Sequence, residues 1–186
     1  VWAARAGKQV NITNLKEFLE WNSTVESREY VDDEVNLLAD LDFSSMPKVN
    51  VRYIGHTLEH NVRHPLNGTF NGNNHTIRNL VMLNDGAAIA RDAGLFAEIT
   101  TNGTVRDLFF DSSCMFSGYY ATTIAIYMYG GKIENVHSAA TLNGVFAGGM
   151  AAFSEKSTVM IENCTFSGVI VAHCLNSDAS ARGSCA

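Results

Sequence analysis

Ile77-Arg78-Asn79-Leu80, Val105-Arg106-Asp107-Leu108, Ile133-Glu134-Asn135-Val136 and Ile161-Glu162-Asn163-Cys164 recur at a spacing of 28 residues, each reading apolar, charged, Asn or Asp, apolar. A fixed period over four copies is the mark of one structural unit stacked on itself. Set in register, the copies give columns. Ile77, Val105, Ile133 and Ile161 are β-branched and apolar, and Leu80, Leu108, Val136 and Cys164 form a second apolar column. Between them runs Asn79, Asp107, Asn135, Asn163. An Asn or Asp at one fixed place suits a bend whose side chains bond to the matching residue above and below, and Asn tolerates the left-handed backbone of such a bend. These four residues are read as a structural ladder.

Working outward, Arg78, Arg106, Glu134 and Glu162 form an outward column, with opposite charges meeting at the Arg106/Glu134 step. A second register of small and apolar residues covers Ala93-Gly94-Leu95-Phe96, Ala121-Thr122-Thr123-Ile124 and Gly149-Met150-Ala151-Ala152. Stacked short strands around an apolar interior predict an all-β fold, a right-handed parallel β-helix (solenoid) of about five coils at ~28 residues per coil. Leucine-rich repeats need Leu at many fixed positions, which this chain lacks. Residues 14–28 read as a short N-terminal capping helix, with Asn14 and Glu17 as a capping pair and Leu15, Phe18, Leu19 and Val25 as an apolar stripe. A strand is expected around Val49–Ile54. The organisation is one domain: helix and cap over 1–34, β-helix over 35–172, and a Cys-containing tail over 173–186.

Composition narrows the function classes. Of 186 residues 46% are hydrophobic and 17% charged, with two Pro, which favours a folded, sheet-rich chain. A net charge of -6 argues against a nucleic-acid partner or a polybasic membrane anchor. No apolar run reaches the length of a spanning helix, so no membrane insertion is expected. The chain begins without Met or a signal-peptide pattern, as a processed mature form or a fragment would. Asn-X-Ser/Thr sequons at Asn11, Asn22, Asn67, Asn74, Asn102 and Asn163 point to the secretory route and to covalent N-glycans. Asn163 lies in the ladder and is expected to be inaccessible. Asn74 and Asn102 share a column at a turn, while Asn11, Asn22 and Asn67 look free. Cys114, Cys164, Cys174 and Cys185 are disulfide candidates, and their three possible pairings stay open.

The stretch GTFNGNNHTIRNL over 68–80 resembles the GTFDGNGHTISNL signature of GLUG-type cell-surface, adhesin-like β-helix proteins. Leu37-Leu38-Ala39-Asp40-Leu41-Asp42-Phe43 is similar to that family's LTADIDL strand, Tyr53-Ile54-Gly55 to its W-x-P-I-G turn, and the stretch AGLFAEI over 93–99 to its AGLFGYI segment. The likeness spans most of residues 10–110 and weakens after Ala121. It implies a secreted or surface-anchored protein with no shared catalytic residues to transfer.

Several constellations could carry chemistry. His56, His60 and His64 would share one face of a helix as metal ligands, but the stretch ends at Pro65 and has no apolar face, so a solvated loop is favoured and no metal is expected. His75 is expected to serve a turn, and His137 and His173 to be satisfied polar residues. Asp32, Asp33, Glu34, Asp40 and Asp42 supply acids, and Glu134 with Glu162 a possible pair without an evident Lys partner; a polysaccharide lyase or hydrolase would need such acids to converge in a groove. Phe109, Tyr119, Tyr120, Tyr127 and Tyr129 are candidates for an exposed aromatic ladder of a carbohydrate-binding module, although core packing suits several. The reading that results is a secreted or cell-surface glycoprotein, not an enzyme and without cofactor, in a structural, adhesive or assembly role. Its partners are further copies or other surface proteins at the open solenoid end, or a polysaccharide.

Overall fold

The computed structural model describes residues 7–25, 27–46, 54, 56–57, 62–83, 92–155 and 158–172. In chain order these carry β1 (Gln9–Ile12), α1 (Leu15–Val25), β2 (Glu34–Leu37), β3 (Leu41–Asp42), β4 (His56–Thr57), β5 (Val62–Arg63), β6 (Thr69–Arg78), β7 (Val81–Leu83), β8 (Asp92–Ala93) and β9 (Phe96–Ile99). There follow β10 (Thr104–Phe110), β11 (Met115–Thr122), β12 (Ala125–Met128), β13 (Lys132–Ser138), β14 (Thr141–Gly148), β15 (Ala151–Ser154), β16 (Met160–Glu162), β17 (Thr165–Phe166) and β18 (Val169–Ala172). The first sheet runs β1-β2-β6-β10-β13-β16, with β3 on β6 and β17 on β13. The second runs β7-β11-β14-β18 with β8 on β11, and the third β9-β12-β15. Pairing within all three is parallel, and among the described residues only β4 and β5 pair antiparallel. This is a parallel β-solenoid of about five coils at about 28 residues per coil.

One inward column shows how the coils are cut. Val10, Val35, Phe70, Val105, Ile133 and Ile161 stand over one another on the first sheet, with successive separations of 25, 35, 35, 28 and 28 residues. The constant 28-residue period therefore belongs to the last three members, and the first copy of the motif, Ile77–Leu80, is out of step. Ile77 lies against Leu41 and Phe110, and Phe70 takes the place opposite Val105. The cause is a bulge in β6: Asn71 faces Arg106 and His75 faces Leu108, so Gly72, Asn73 and Asn74 together oppose Asp107. Asn73 and Asn74 adopt left-handed backbone, φ 48° and 63°. Both Phe70 and Ile77 point inward, so one strand satisfies the apolar spacing twice. On the second sheet Ala93 faces Ala121, but Ala121 faces Ala147, which leaves Gly149–Ala152 two positions past the register expected from sequence.

The interior is rich in aromatic rings at the α1 end, carries a further pair in Phe110 and Phe116 at 6.1 Å, and turns aliphatic in the coil of β13. Phe70 and Phe96 meet edge to face at 5.4 Å, and Trp21 reaches Phe70 at 6.0 Å. Helix α1 buries Phe18, Trp21 and Val25, an i, i+3, i+7 set that lays one face on the solenoid. Asn14 Oδ1 accepts the Glu17 N–H at 3.0 Å, while the Glu17 carboxylate reaches past it to Thr13, taking its N–H at 2.7 Å and its hydroxyl at 2.8 Å. The helix ends at Val25, earlier than residue 28. The strand expected around Val49–Ile54 lies outside the described residues except for Ile54, which bridges Phe96. Coils approach closely at one corner: a Cβ on Gly103 would stand 2.3 Å from the Leu66 carbonyl oxygen, and Gly131 needs φ 78°.

The two ends differ. At the first, α1 covers the interior. At the other, β16 and β18 have no further strand beyond them among the described residues, and Met160, Ile161, Val169, Ile170 and Val171 are exposed. Ile133 is 0% exposed and Ile161, one coil on, 46%.

Candidate functional site: an outward aromatic face

The ladder residues all take the backbone expected of them: φ is 56° at Asn79, 54° at Asp107, 52° at Asn135 and 51° at Asn163. Their stacking is narrower than the sequence suggests. Asn135 Nδ2 donates to Asp107 Oδ1 at 2.6 Å, whereas Asn79, displaced by the bulge in β6, donates to Asp42 Oδ1 at 2.8 Å. Asn163 is exposed, which corrects its expected inaccessibility; no coil covers it among the described residues.

The other sequons also shift. Asn67 is not free: its Oδ1 accepts from Thr100 Oγ1 at 2.6 Å and Asn102 Nδ2 at 3.2 Å, and its Nδ2 donates to Asp32 at 2.7 Å. Asn102 stands over Asn67 rather than Asn74, because Thr104 pairs with Thr69. Asn74 sits in the bulge. Asn11, Asn74 and Asn102 are exposed and Asn22 is half-buried on α1.

The candidate acids Asp40, Asp42, Glu134 and Glu162 each hold local bonds. Asp40 accepts the Thr76 N–H at 2.9 Å, which with His75 and Arg78 holds its carboxyl below the usual carboxylate range. Asp42 is lowered likewise by Asn79 and Ser44. Glu134 and Glu162 do have a Lys: Lys132 Nζ bridges them at 3.1 and 3.0 Å. Arg106 turns to its neighbour Asp107 at 3.3 Å rather than to Glu134. His56 lies on β4 of a hairpin, not on a helix; His60 is outside the described residues; and His64 is buried with Nδ1 against the Arg28 carbonyl oxygen. No group of three or more potential metal ligands forms among the described residues. Cys114 and Cys164 carry free thiols and are not joined to each other; Cys174, Cys185 and the rest of the tail over 173–186, His173 included, lie outside the described residues. Burial pushes the Cys114 thiol up to about 11.

The aromatic candidates do converge, and on the outside. Across β8, β11 and β14, Asp92, Tyr120 and Phe146 stand in one column. Across β9, β12 and β15, Glu98, Tyr127 and Phe153 stand in another. Each column runs acid, Tyr, Phe along the solenoid. Tyr120 is the hub, at 4.9 Å from Tyr119, 5.2 Å from Phe146, 5.5 Å from Phe153 and 6.0 Å from Tyr127. Tyr129 lies nearly parallel to Tyr127, at 6.4 Å and 12°. Phe146 and Phe153 are the most open, 44% and 40% exposed. Arg63 sets its guanidinium 4.0 Å above the Tyr127 ring and 3.8 Å from Glu98. Burial raises the Glu98 carboxyl, opposed by Arg63 and reinforced by Glu155. Burial also raises the phenols of Tyr120 and Tyr129. Phe109 lies apart, on the first sheet against His137 at 5.0 Å.

Sequence reasoning missed Phe146, Phe153, Arg63 and Glu98. A signal for the first two was present: Tyr120 and Tyr127 are seven residues apart, as are Phe146 and Phe153, so the pair repeats one coil later.

No family model matches this chain. A 77-residue stretch, 41% of the chain, is 36% identical to halomucin of Haloquadratum walsbyi and covers 1% of that protein. The fold is similar to the crystal structure of a Bacteroides ovatus protein named, provisionally, as an immunoglobulin A1 protease. The TM-score is 0.57 over 85% of this chain and 56% of that one, at 17% identity. The chain thus spans about half the length of its structural neighbour, and the likeness is one of fold. Parallel β-solenoids serve enzymes and non-enzymes alike.

Proposed function

We propose that this chain is an adhesive, non-catalytic module of an extracellular or cell-surface protein, holding its partner against the aromatic face. The observation that carries the reading is the pair of outward acid-Tyr-Phe columns. Apolar rings in a contiguous outward cluster mark a contact surface, since the ordinary outward position of a solenoid is polar; here the first sheet obeys that rule with Arg106, Glu134 and Glu162. The engagement of Asp40, Asp42, Glu134 and Glu162 in local bonds supports a non-catalytic role. The short likeness to a far longer halomucin supports a place within a larger protein, and the sequence resemblance of residues 68–80 to GLUG-type proteins, which no family model matches, points the same way. No helix among the described residues is long and apolar enough to cross a membrane.

The test is retention of chain-coated beads on intact cells or extracellular matrix under flow, comparing the native chain with Phe146→Ala/Phe153→Ala. Retention should fall about tenfold in the double variant. Equal retention rejects the face as the contact surface.

A second reading rests on strands β16 and β18, which no further strand covers among the described residues, with their exposed Ile161, Val169, Ile170 and Val171. Open sheet edges recruit further strands, so this end would join another copy or a neighbouring domain. Light scattering should show mass rising with concentration, suppressed by Ile170→Lys; a constant mass rejects it. Glycans would sit on Asn11, Asn22, Asn74 and Asn102. An unchanged mass after Asn74→Gln with Asn102→Gln, in protein from its own secretory host, rejects glycans at those two positions.

A further inference from the structure

From the composition of the aromatic face we infer that its ligand is an uncharged polysaccharide, laid along the solenoid axis over Phe146 and Phe153 with its hydroxyl groups directed to Glu98 and Arg63. This rests on the aromatic face being the contact surface. Three observations select the ligand class. The first is area. Two rings exposed by 44% and 40%, with four half-buried Tyr around them, offer on the order of 300 Å² of aromatic surface. That aromatic area matches a few stacked sugar rings, whereas a stable protein interface of about 800 Å² from each partner would have to draw most of its contact from outside the rings. The second is chemistry. Each column starts on a carboxylate, Asp92 or Glu98, and ends on a Phe, with a Tyr between. A sugar has the matching duality of apolar C–H faces and a hydroxyl rim; a lipid chain would offer nothing to Glu98, Arg63 or the phenols.

The third is charge. Carboxylates head both columns, Glu155 lies close enough to Glu98 to raise its carboxyl, and the chain carries -6 overall. A polyanionic glycan would meet this field as a repulsion, and Arg63, the base at the rim among the described residues, is already held by Glu98 and Tyr127. A cationic ligand would compete with Arg63 for its seat above the Tyr127 ring. An uncharged chain meets neither obstacle. The direction follows from the columns: rungs of a parallel sheet are about 4.8 Å apart, so a chain along the axis passes from acid to Tyr to Phe in both columns at once.

The probes are neutral gluco-, manno-, xylo- and galacto-oligosaccharides of six units, and heparin as the polyanion, titrated into the full chain while following tyrosine fluorescence. At least one neutral oligosaccharide should saturate the signal with a Kd of roughly 1 mM or tighter. Phe146→Ala and Phe153→Ala should each weaken binding about tenfold. Phe109→Ala, on another sheet, should leave it unchanged, as should heparin as a competitor. Near-UV circular dichroism checks that the variants keep the native fold, and Glu98→Gln gives a second, near-isosteric variant expected to weaken binding without touching the rings. Binding to no neutral oligosaccharide, binding to heparin alone, or binding indifferent to both Phe substitutions overturns the inference. Periodate treatment of the cells in the bead assay separates the two claims. Retention that depends on Phe146 and Phe153 but survives periodate sinks the carbohydrate and leaves the face standing; retention independent of both rings sinks the face itself.

Discussion

The indole N–H of Trp21 donates to Asp33 Oδ2 at 3.0 Å, tying the capping helix to the turn that leads into β2. Asp33 also accepts the Lys8 N–H at 3.0 Å and a contact from the Arg28 guanidinium. Burial by itself would raise this carboxyl, but the Lys8, Trp21 and Arg28 donors together hold it below its ordinary value. Removing one partner of a buried charge network costs about 3–5 kcal/mol. Asp33→Ala should therefore lower the urea midpoint by a corresponding amount, and a loss under about 1 kcal/mol would show that the cap is held by its apolar face alone.

The same carboxyl sets the acid limb of stability. Its folded pKa lies below the unfolded value near 3.9. The stabilisation is thus complete above about pH 5 and is lost as pH falls through the unfolded and then the folded pKa. Asp40 and Asp42, lowered by their own hydrogen bonds, act in the same direction. Melting temperature should fall below about pH 4, and Asp33→Asn should flatten that fall. An unchanged slope in the variant would assign the acid limb to other groups.

Ile133 and Ile161 occupy one column in adjacent coils with different burial. Ile133→Ala should cost about 2–5 kcal/mol, as full core truncations do, and Ile161→Ala less than about 1 kcal/mol. Equal losses in chemical denaturation would mean that something covers the last coil in solution.

The left-handed bends can be separated from their hydrogen bonds. Asn135→Ala loses the bond to Asp107 and forces a Cβ-bearing residue without Asn's local bonding into φ 52°, for about 2 kcal/mol in all. Asn135→Gly keeps the backbone free and should cost about 1 kcal/mol. A reversed order of the two melting temperatures would contradict this account.

Cys114 is fully buried, donates weakly to the Ile77 carbonyl oxygen at 3.3 Å, and has its pKa pushed up to about 11. In a variant with Cys164, Cys174 and Cys185 replaced by Ser, it should resist a thiol-specific dye in the native state and react fully in denaturant. Rapid native labelling would place it at the surface.

Much of the architecture is legible in the sequence because two rules are local. Inward positions alternate with period two, and a left-handed bend selects Asn or Asp, so Val105, Ile133, Asp107 and Asn135 announce themselves. The register of the earlier coils does not, because Phe70 and Ile77 both face inward and only the bulge at Asn73 and Asn74 decides which of them meets Val105. Bulges are set by pairing across coils, which a linear pattern does not contain. The aromatic face is hidden for a related reason. Strict alternation fails near the corner of β11, where Ser117 to Tyr120 are all half-buried, so Tyr120 reads from sequence as equally suited to the core.

A solenoid held together rung by rung loses structure from whichever rung has the fewest neighbours. Among the described residues that is the coil of β16 to β18, and Phe146 and Phe153 belong to the coil beside it. Fraying would reach the aromatic face before it reached the aromatic interior near α1. A ligand bridging Tyr120, Phe146 and Phe153 would therefore act as a splint, slowing hydrogen exchange in β14 and β15 while leaving β2 and β6 at their intrinsic rates.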